Sequence, residues 1–350
     1  MTLPCGTPNY AYNQDMAIIR TKFHWGLFFI LLVFLATFPL YGNNYWLGVS
    51  NLIGITLIAA IGLNILTGYC GQLSIGHAGF IAVGAYTSAI LTGKLGLPFL
   101  VGMLCAGIVA GVIGLIFGIP SLKVKGFYLA ISTIAAQFII IWVINHWSEV
   151  TGGFMGISAP FASIAGFAFR SQASQFYLIL TIAGLCVFFT KNLARTRVGR
   201  AFVAIRDNDL AAEVMGVNLF YYKLLAFFVG CFLAGIAGSL LAHWTGSIST
   251  ENFTLMDSIL YIGMIIIGGL GTALGPILGV VFIRLLEQGV TLLSPALQFA
   301  FPTLPSGFTT GIAPMLFGLV IILFLVFEPR GIAHRWAIFK AAYRLWPFSY

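Results

Sequence analysis

Charged residues are scarce in this 350-residue chain: Asp, Glu, Lys and Arg together make up 7% of it. Soluble domains carry about a quarter, so this composition excludes a water-facing globular domain of any size. Acidic residues are rarer still, nine against 17 Lys and Arg. Cysteine is sparse and dispersed. Cys5, Cys70, Cys105, Cys186 and Cys231 stand singly, four of them in apolar runs, with neither a disulfide framework nor a metal-ligand spacing. The five histidines are equally scattered, and H-E-x-x-H and G-x-S-x-G are missing, so metallohydrolase and serine-hydrolase chemistry are not indicated. G-x-x-x-x-G-K-S/T is missing too, which leaves the chain without an ATP site of its own. No enzyme activity, cofactor or metal is expected.

What is abundant is apolar. Such residues form 60% of the chain, with 41 glycines among the rest, as expected of a polytopic membrane protein whose helices approach closely at small residues. The net charge of +8 is accounted for by basic loops on the cytoplasmic side of a membrane and needs no nucleic-acid partner. Apolar runs predict ten spans: Phe23–Leu40, Trp46–Leu66, Leu73–Leu91, Leu97–Ile119, Phe127–Trp147, Gln175–Thr190, Leu224–Trp244, Ile259–Gly271, Gly271–Val290 and Gly311–Phe327. The run from Ile259 to Val290 is divided at Gly271 because it is too long for one simple helix and is interrupted by GGLGTALGP. With the N-terminus inside, 14 of the 17 basic residues fall on the cytoplasmic side, the exceptions being Lys94, Arg170 and Arg284. One undivided helix there would send the basic tail outside, against the positive-inside rule. A re-entrant segment in place of one span is the alternative. The chain thus reads as one all-α transmembrane domain over residues 1–350, with about ten helices, some broken at Gly-rich turns. Residues 1–22 form a cytoplasmic leader and 328–350 a cytoplasmic basic tail.

The exception to the apolar pattern is residues 191–223, KNLARTRVGRAFVAIRDNDLAAEVMGVNLFYYK. Six basic and three acidic residues cannot sit at bilayer depth, so this is a cytoplasmic loop. Phe202, Ile205, Leu210, Val214 and Met215 recur at helical spacing, Asn208 is a good N-cap, and Gly216 suits a left-handed stop. One or two short amphipathic helices held against the membrane face are predicted.

Four motifs occur in one order: GYCGQLSIGHAGFIAVGAY from Gly68, TGGFMGI from Thr151, GRAFVAIRDNDLAAEVMGVN from Gly199 and GGLGTALGPILG from Gly268. From about Leu47 to Gly331 the chain resembles the permease subunits of branched-chain amino-acid ABC importers, the LivM type. The resemblance implies a second homologous permease, two cytoplasmic ABC ATPase subunits, a periplasmic solute-binding protein, and residence in the bilayer of the bacterial inner membrane with both termini cytoplasmic. It implies import of branched-chain or related amino acids. Relatives that carry urea, short amides or aromatic acids share the motifs, and a passive channel is a further rival. The loop matches the family's ATPase-coupling segment, which makes Arg200, Arg206, Asp207, Asn208, Ala211, Ala212 and Gly216 the contact candidates. Attachment to anionic headgroups is the alternative.

Gly71, Gly76 and Gly79 permit a broken helix whose freed backbone groups could meet a zwitterion, and Gln72, Ser74 and His77 add polar atoms. Gly268, Gly269 and Gly271 echo this arrangement in the second half. These nine residues are the candidates for the substrate pathway; tight helix packing is the competing reading. Arg284 and Glu287, at i and i+3 in an apolar run, are expected to pair with each other.

Overall fold

The computed structural model describes residues 22–121, 126–164, 166–300 and 306–345; the side chains of residues 22–24, 121, 293–300, 306–313 and 342–345 are not described. The leader as far as Arg20, with Cys5, and the loop lysines Lys123 and Lys125 lie outside these residues. So does the side chain of Arg344.

Ten apolar helices follow one another at the places where the ten runs fall. They are α1 (Lys22–Tyr41), α2 (Asn44–Leu63, continued by a π-helical turn Asn64–Tyr69), α3 (His77–Gly93), α4 (Phe99–Ser121), α5 (Phe127–His146), α6 (Gln172–Leu193), α9 (Leu219–Thr245), α10 (Leu255–Gly268), α11 (Gly275–Ala300) and α12 (Ser306–Phe327). Between α6 and α9 lie the short helices α7 (Arg197–Asp207) and α8 (Asp209–Val214), and α13 (Ile332–Leu345) closes the chain. Among the described residues seven helices are long and apolar enough to cross a membrane. An eighth counts if Pro314–Phe327 and Ile332–Ala341, bent by 43°, form one span. The chain is an all-α polytopic membrane protein. α3 starts at His77 rather than Leu73, because residues 72–76 leave the helix after the π turn.

The bundle is built around α9, whose small residues let three helices come close. A Cβ on Gly62 of α2 would lie 2.5 Å from the Gly230 carbonyl, and Gly84 of α3 lies directly on the backbone of Gly235. A Cβ on Gly235 would in turn lie 2.5 Å from the Ala106 carbonyl of α4. In α4 the GIVAG face receives aromatic side chains: Gly107 meets Phe232 and Gly111 meets Phe228, two rings stacked 6.1 Å apart on α9. Contacts of this kind replace the hydrophobic drive that lipid does not supply. Accordingly, α2 and α9 are the most deeply buried of the long spans, at 72% and 67% of their apolar windows.

Connections among the described residues gather at two ends of the bundle. At one end, β1 (Ile157–Ser158) pairs antiparallel with β4 (Ser247–Ile248), Ile157 opposite Ile248, and Lys94 Nζ donates to the carbonyls of Glu149 and Val150. A second ribbon, β2 (Ser163–Ile164) with β3 (Phe167–Ala168), lies in the same connection. At the other end meet the π turn of α2, the α7–α8 loop, the α10–α11 break and the α12–α13 bend.

Candidate functional site

The loop is assembled by local capping before anything else. Thr196 caps α7 by accepting from the Gly199 amide, and Gly199 sits against the backbone of Leu193 and Ala194, which folds α7 back along the end of α6. Ala201, Phe202 and Ile205 face inward, with Phe202 edge-on to Tyr222 of α9; Arg197 and Arg200 face outward. Asn208 is extended and accepts from the Ala211 amide at 3.1 Å, starting α8. Gly216 takes φ +85° and ends it, its amide bonded to Glu213 O and that of Val217 to Ala212 O. The result is a capped knuckle whose tip is apolar: Leu210, Val214 and Met215 are 66%, 87% and 83% exposed.

The sequence-based candidates occupy different positions in this knuckle. Ala211, Asn208 and Gly216 are exposed, and Arg200 is exposed with Nη1 donating to Arg195 O at 3.2 Å. Ala212 is 4% exposed and belongs to the core under α8, so the contact candidacy of this residue is corrected. Helical spacing identifies which residues share a face; it does not say which of two small faces turns inward. Arg206 is bound by Asp207, whose Oδ1 accepts from Nε and Nη2 at 3.0 and 2.9 Å. Its Nη1 reaches inward to the Gly68 carbonyl at 3.0 Å.

The first Gly-rich break is internal to the subunit. Gly71 adopts φ +73°. Gln72, Ser74 and His77 are 6%, 0% and 0% exposed, and Gly76 and Gly79 are pressed onto Thr133 and Gln137 of α5. The break is stitched to its neighbours by side chains. The Ile75 amide donates to Thr133 Oγ1, the Ala78 amide to Ser258 Oγ of α10, and Ser258 Oγ to Gln137 Oε1 at 2.7 Å. His77 Nε2 lies 3.1 Å from Ala59 O. Gln72 Oε1, Ser74 Oγ and His77 Nδ1 find no partner among the described residues.

The second break uses Gly269 at φ +116° and Gly271 at φ +70°. Thr272 closes it as a local cap, donating to Gly269 O and accepting from the Gly275 amide, both at 2.9 Å. Gly268 is buried against the start of α11, and Gly331 of the tail rests on Gly269.

One residue unremarked in the sequence joins the two breaks. Asn64 accepts from the Gly271 amide at 2.9 Å and donates to Thr272 O at 3.0 Å. The available signal was a lone amide in an apolar span, four residues before Gly68; the structure buries it fully. Behind this junction a cavity of about 340 Å³ is bounded by Gly71, Gln72, Ile205, Arg206, Asp209 and Lys223. Cys70 also faces it; burial pushes its thiol up to about 12, although Lys223 pulls the other way.

Arg284 and Glu287 are not part of this site. They lie on α11, where Arg284 Nη1 donates to Glu287 Oε2 at 2.8 Å and Nη2 to Thr56 Oγ1 of α2 at 3.1 Å. No group of three or more His, Cys, Asp or Glu among the described residues could hold a metal ion.

Residues 45–327 match the family model described as "Branched-chain amino acid transport system / permease component". The chain is 31% identical over 277 residues to the high-affinity branched-chain amino acid transport system permease protein LivM of Escherichia coli, covering 72% of this chain and 65% of that one. The chain therefore spans 65% of the length of that relative. It is also 26% identical to a probable branched-chain amino acid transport permease protein LivM of Methanocaldococcus jannaschii, over 80% of this chain and 90% of the relative. The galactose/methyl galactoside import permease protein MglC of Escherichia coli is 27% identical, over 76% and 86%. No solved structure matches. The chain belongs to the family of branched-chain amino acid transport system permease components.

Proposed function

We propose that this chain is one transmembrane subunit of a binding-protein-dependent ABC importer in the bacterial inner membrane. It works with a second homologous permease, two ATPase subunits and a periplasmic solute-binding protein. It is a transport component, not an enzyme. The knuckle end faces the cytoplasm, because residues 191–223 and the tail carry most of the basic residues.

The observation that carries this reading is the tip of α8. A six-residue helix, capped at both ends and backed by buried Ala212, holds three large apolar side chains in the open. A loop that only met headgroups would present its arginines there. Residues 191–223 are therefore the ATPase-coupling loop, with Leu210, Ala211, Val214 and Met215 as its contact surface and Arg206 behind it. The Gly-rich breaks, folded inside the subunit, act on the solute route by shaping the helices that border it.

The cargo is a branched-chain or related small amino acid. This rests on the names of the LivM relatives; the galactose permease shares comparable similarity, so ligand binding to the cognate periplasmic protein is the measurement that assigns the cargo. The docking reading is tested by Val214→Asp. Membrane accumulation should be unchanged, since residue 214 touches nothing the fold needs, while recovery of the ATPase in a pull-down should fall sharply. Wild-type recovery with full uptake would end the docking reading.

A further inference from the structure

We propose that Arg206 and Asn64 form a clasp that ties the coupling loop to both helix breaks, making Arg206 a positioning residue for the transport cycle. This rests on the reading of residues 191–223 as the ATPase-coupling loop.

The clasp originates in one unsatisfied carbonyl. In an α-helix the Gly68 carbonyl would accept from the Gln72 amide. Here the π turn redirects the ladder: Cys70 donates to Ile65 O, and Gln72 to Leu66 O. The Gly68 carbonyl is thereby freed, and Arg206 Nη1 takes it at 3.0 Å. The guanidinium is aimed by Asp207, which holds Nε and Nη2 and so leaves Nη1 pointing inward. A planar guanidinium holds these donors in a fixed fork, a geometry that a flexible lysine ammonium does not reproduce.

The second break enters the same junction. A Cβ on Gly271 would stand 2.5 Å from Arg206 Nη1, and one on Gly68 would stand 2.5 Å from the Gly271 amide. Only glycine at both positions lets the two backbones and the guanidinium share this space. Asn64 completes the tie with its paired bonds to Gly271 and Thr272. Three segments far apart in sequence therefore meet within hydrogen-bond distance, each at a place where its own helix is interrupted. Arg206 lies in the last turn of α7, two residues before Asn208, the cap of α8. A displacement of the docked knuckle is delivered to the ends of α2, α10 and α11 through this one side chain, and the cavity beside Arg206 gives it room to move.

The test uses the assembled transporter with its ATPase and binding protein. Arg206→Ala should keep the ATPase in a pull-down and keep its basal hydrolysis. Stimulation by loaded binding protein, and uptake, should fall by about tenfold or more, within the usual range of coupling between sites. Asp207→Asn changes only a largely exposed carboxylate and should give a smaller loss of the same kind; Arg206→Lys should fall between. Gly271→Ala, in a break remote in sequence from the loop, should reproduce the uncoupling. Wild-type stimulation and uptake in Arg206→Ala, or in both Gly271→Ala and Asp207→Asn should Arg206→Ala fail to accumulate, would overturn the clasp. Loss of the ATPase from the Arg206→Ala pull-down would assign Arg206 to the docking contact and also overturn it. Failure of the wild-type chain to retain any ATPase would instead remove the proposed function.

Discussion

The ammonium of Lys223 lies 3.5 Å from the Asp209 carboxylate, joining the foot of α9 to the first turn of α8. The two sides of this pair are unequal: the Lys223 side chain is 5% exposed and that of Asp209 19%. Removing one partner of a buried pair costs about 3–5 kcal/mol when the remaining charge is stranded. Asp209→Asn strands the deeper charge, whereas Lys223→Met leaves a carboxylate with access to water. Asp209→Asn should therefore lower the midpoint of thermal inactivation in detergent more than Lys223→Met does. The reverse order would show that the pair does not anchor α8.

Sidedness can be read at two highly exposed positions on opposite ends. Met155 is 97% exposed on the TGGFMG turn and Val214 is 87% exposed on α8. A membrane-impermeant maleimide should label Met155→Cys in intact spheroplasts and Val214→Cys only after permeabilisation. Background from Cys70 should be low, because its raised pKa and burial keep the reactive thiolate scarce at neutral pH. Labelling of both positions from outside would contradict the orientation.

The pair on α11 offers a test of structure against cargo contact. Arg284 is 14% exposed and is held by Glu287 and Thr56. Glu287→Gln leaves a guanidinium at bilayer depth with a neutral acceptor, a burden of about 2.5–3.5 kcal/mol by insertion scales. The double variant Arg284→Met, Glu287→Met removes both charges. It should accumulate better than Glu287→Gln and retain uptake if the pair is structural. Normal accumulation with abolished uptake would assign the pair to the cargo.

Glycine substitutions should divide sharply by contact. Gly84→Ala would drive a Cβ into the Gly235 backbone, and Gly76→Ala would drive one into the Thr133 carbonyl; both should reduce folded protein. Gly184→Ala, with nothing within 4 Å, should be neutral or stabilising by up to about 1 kcal/mol through helix propensity. Fluorescence-detected size exclusion of the tagged chain checks all three.

The ten helices are legible in the sequence because a bilayer admits little else: each apolar run must satisfy its own backbone, and each polar break marks a boundary. The caps of the loop over residues 191–223 are legible for a similar reason, since Asn208 and Gly216 act within four residues of themselves. Residues whose role depends on another helix are not. Ala212 reads as surface until the fold buries it, and Asn64 reads as an isolated amide until Gly271 arrives from more than 200 residues away. The burial of Gln72, Ser74 and His77 is hidden for the same reason. Their burial follows from α5 and α10, which pack against the break and lie more than 50 residues further along the chain.

The π turn at Asn64–Tyr69 has a mechanical corollary. Its hydrogen bonds span one residue more than those of the helix it ends, so the first half of the chain stores a residue of slack at the end of α2. Rewinding those six residues as α-helix would add about 1.5 Å of rise and rotate the downstream backbone by about 100°. The Gly68 carbonyl would return to the ladder and Arg206 would lose its acceptor. Such a rewinding would be one discrete step, so that motion at this point would advance as a ratchet does, by whole residues.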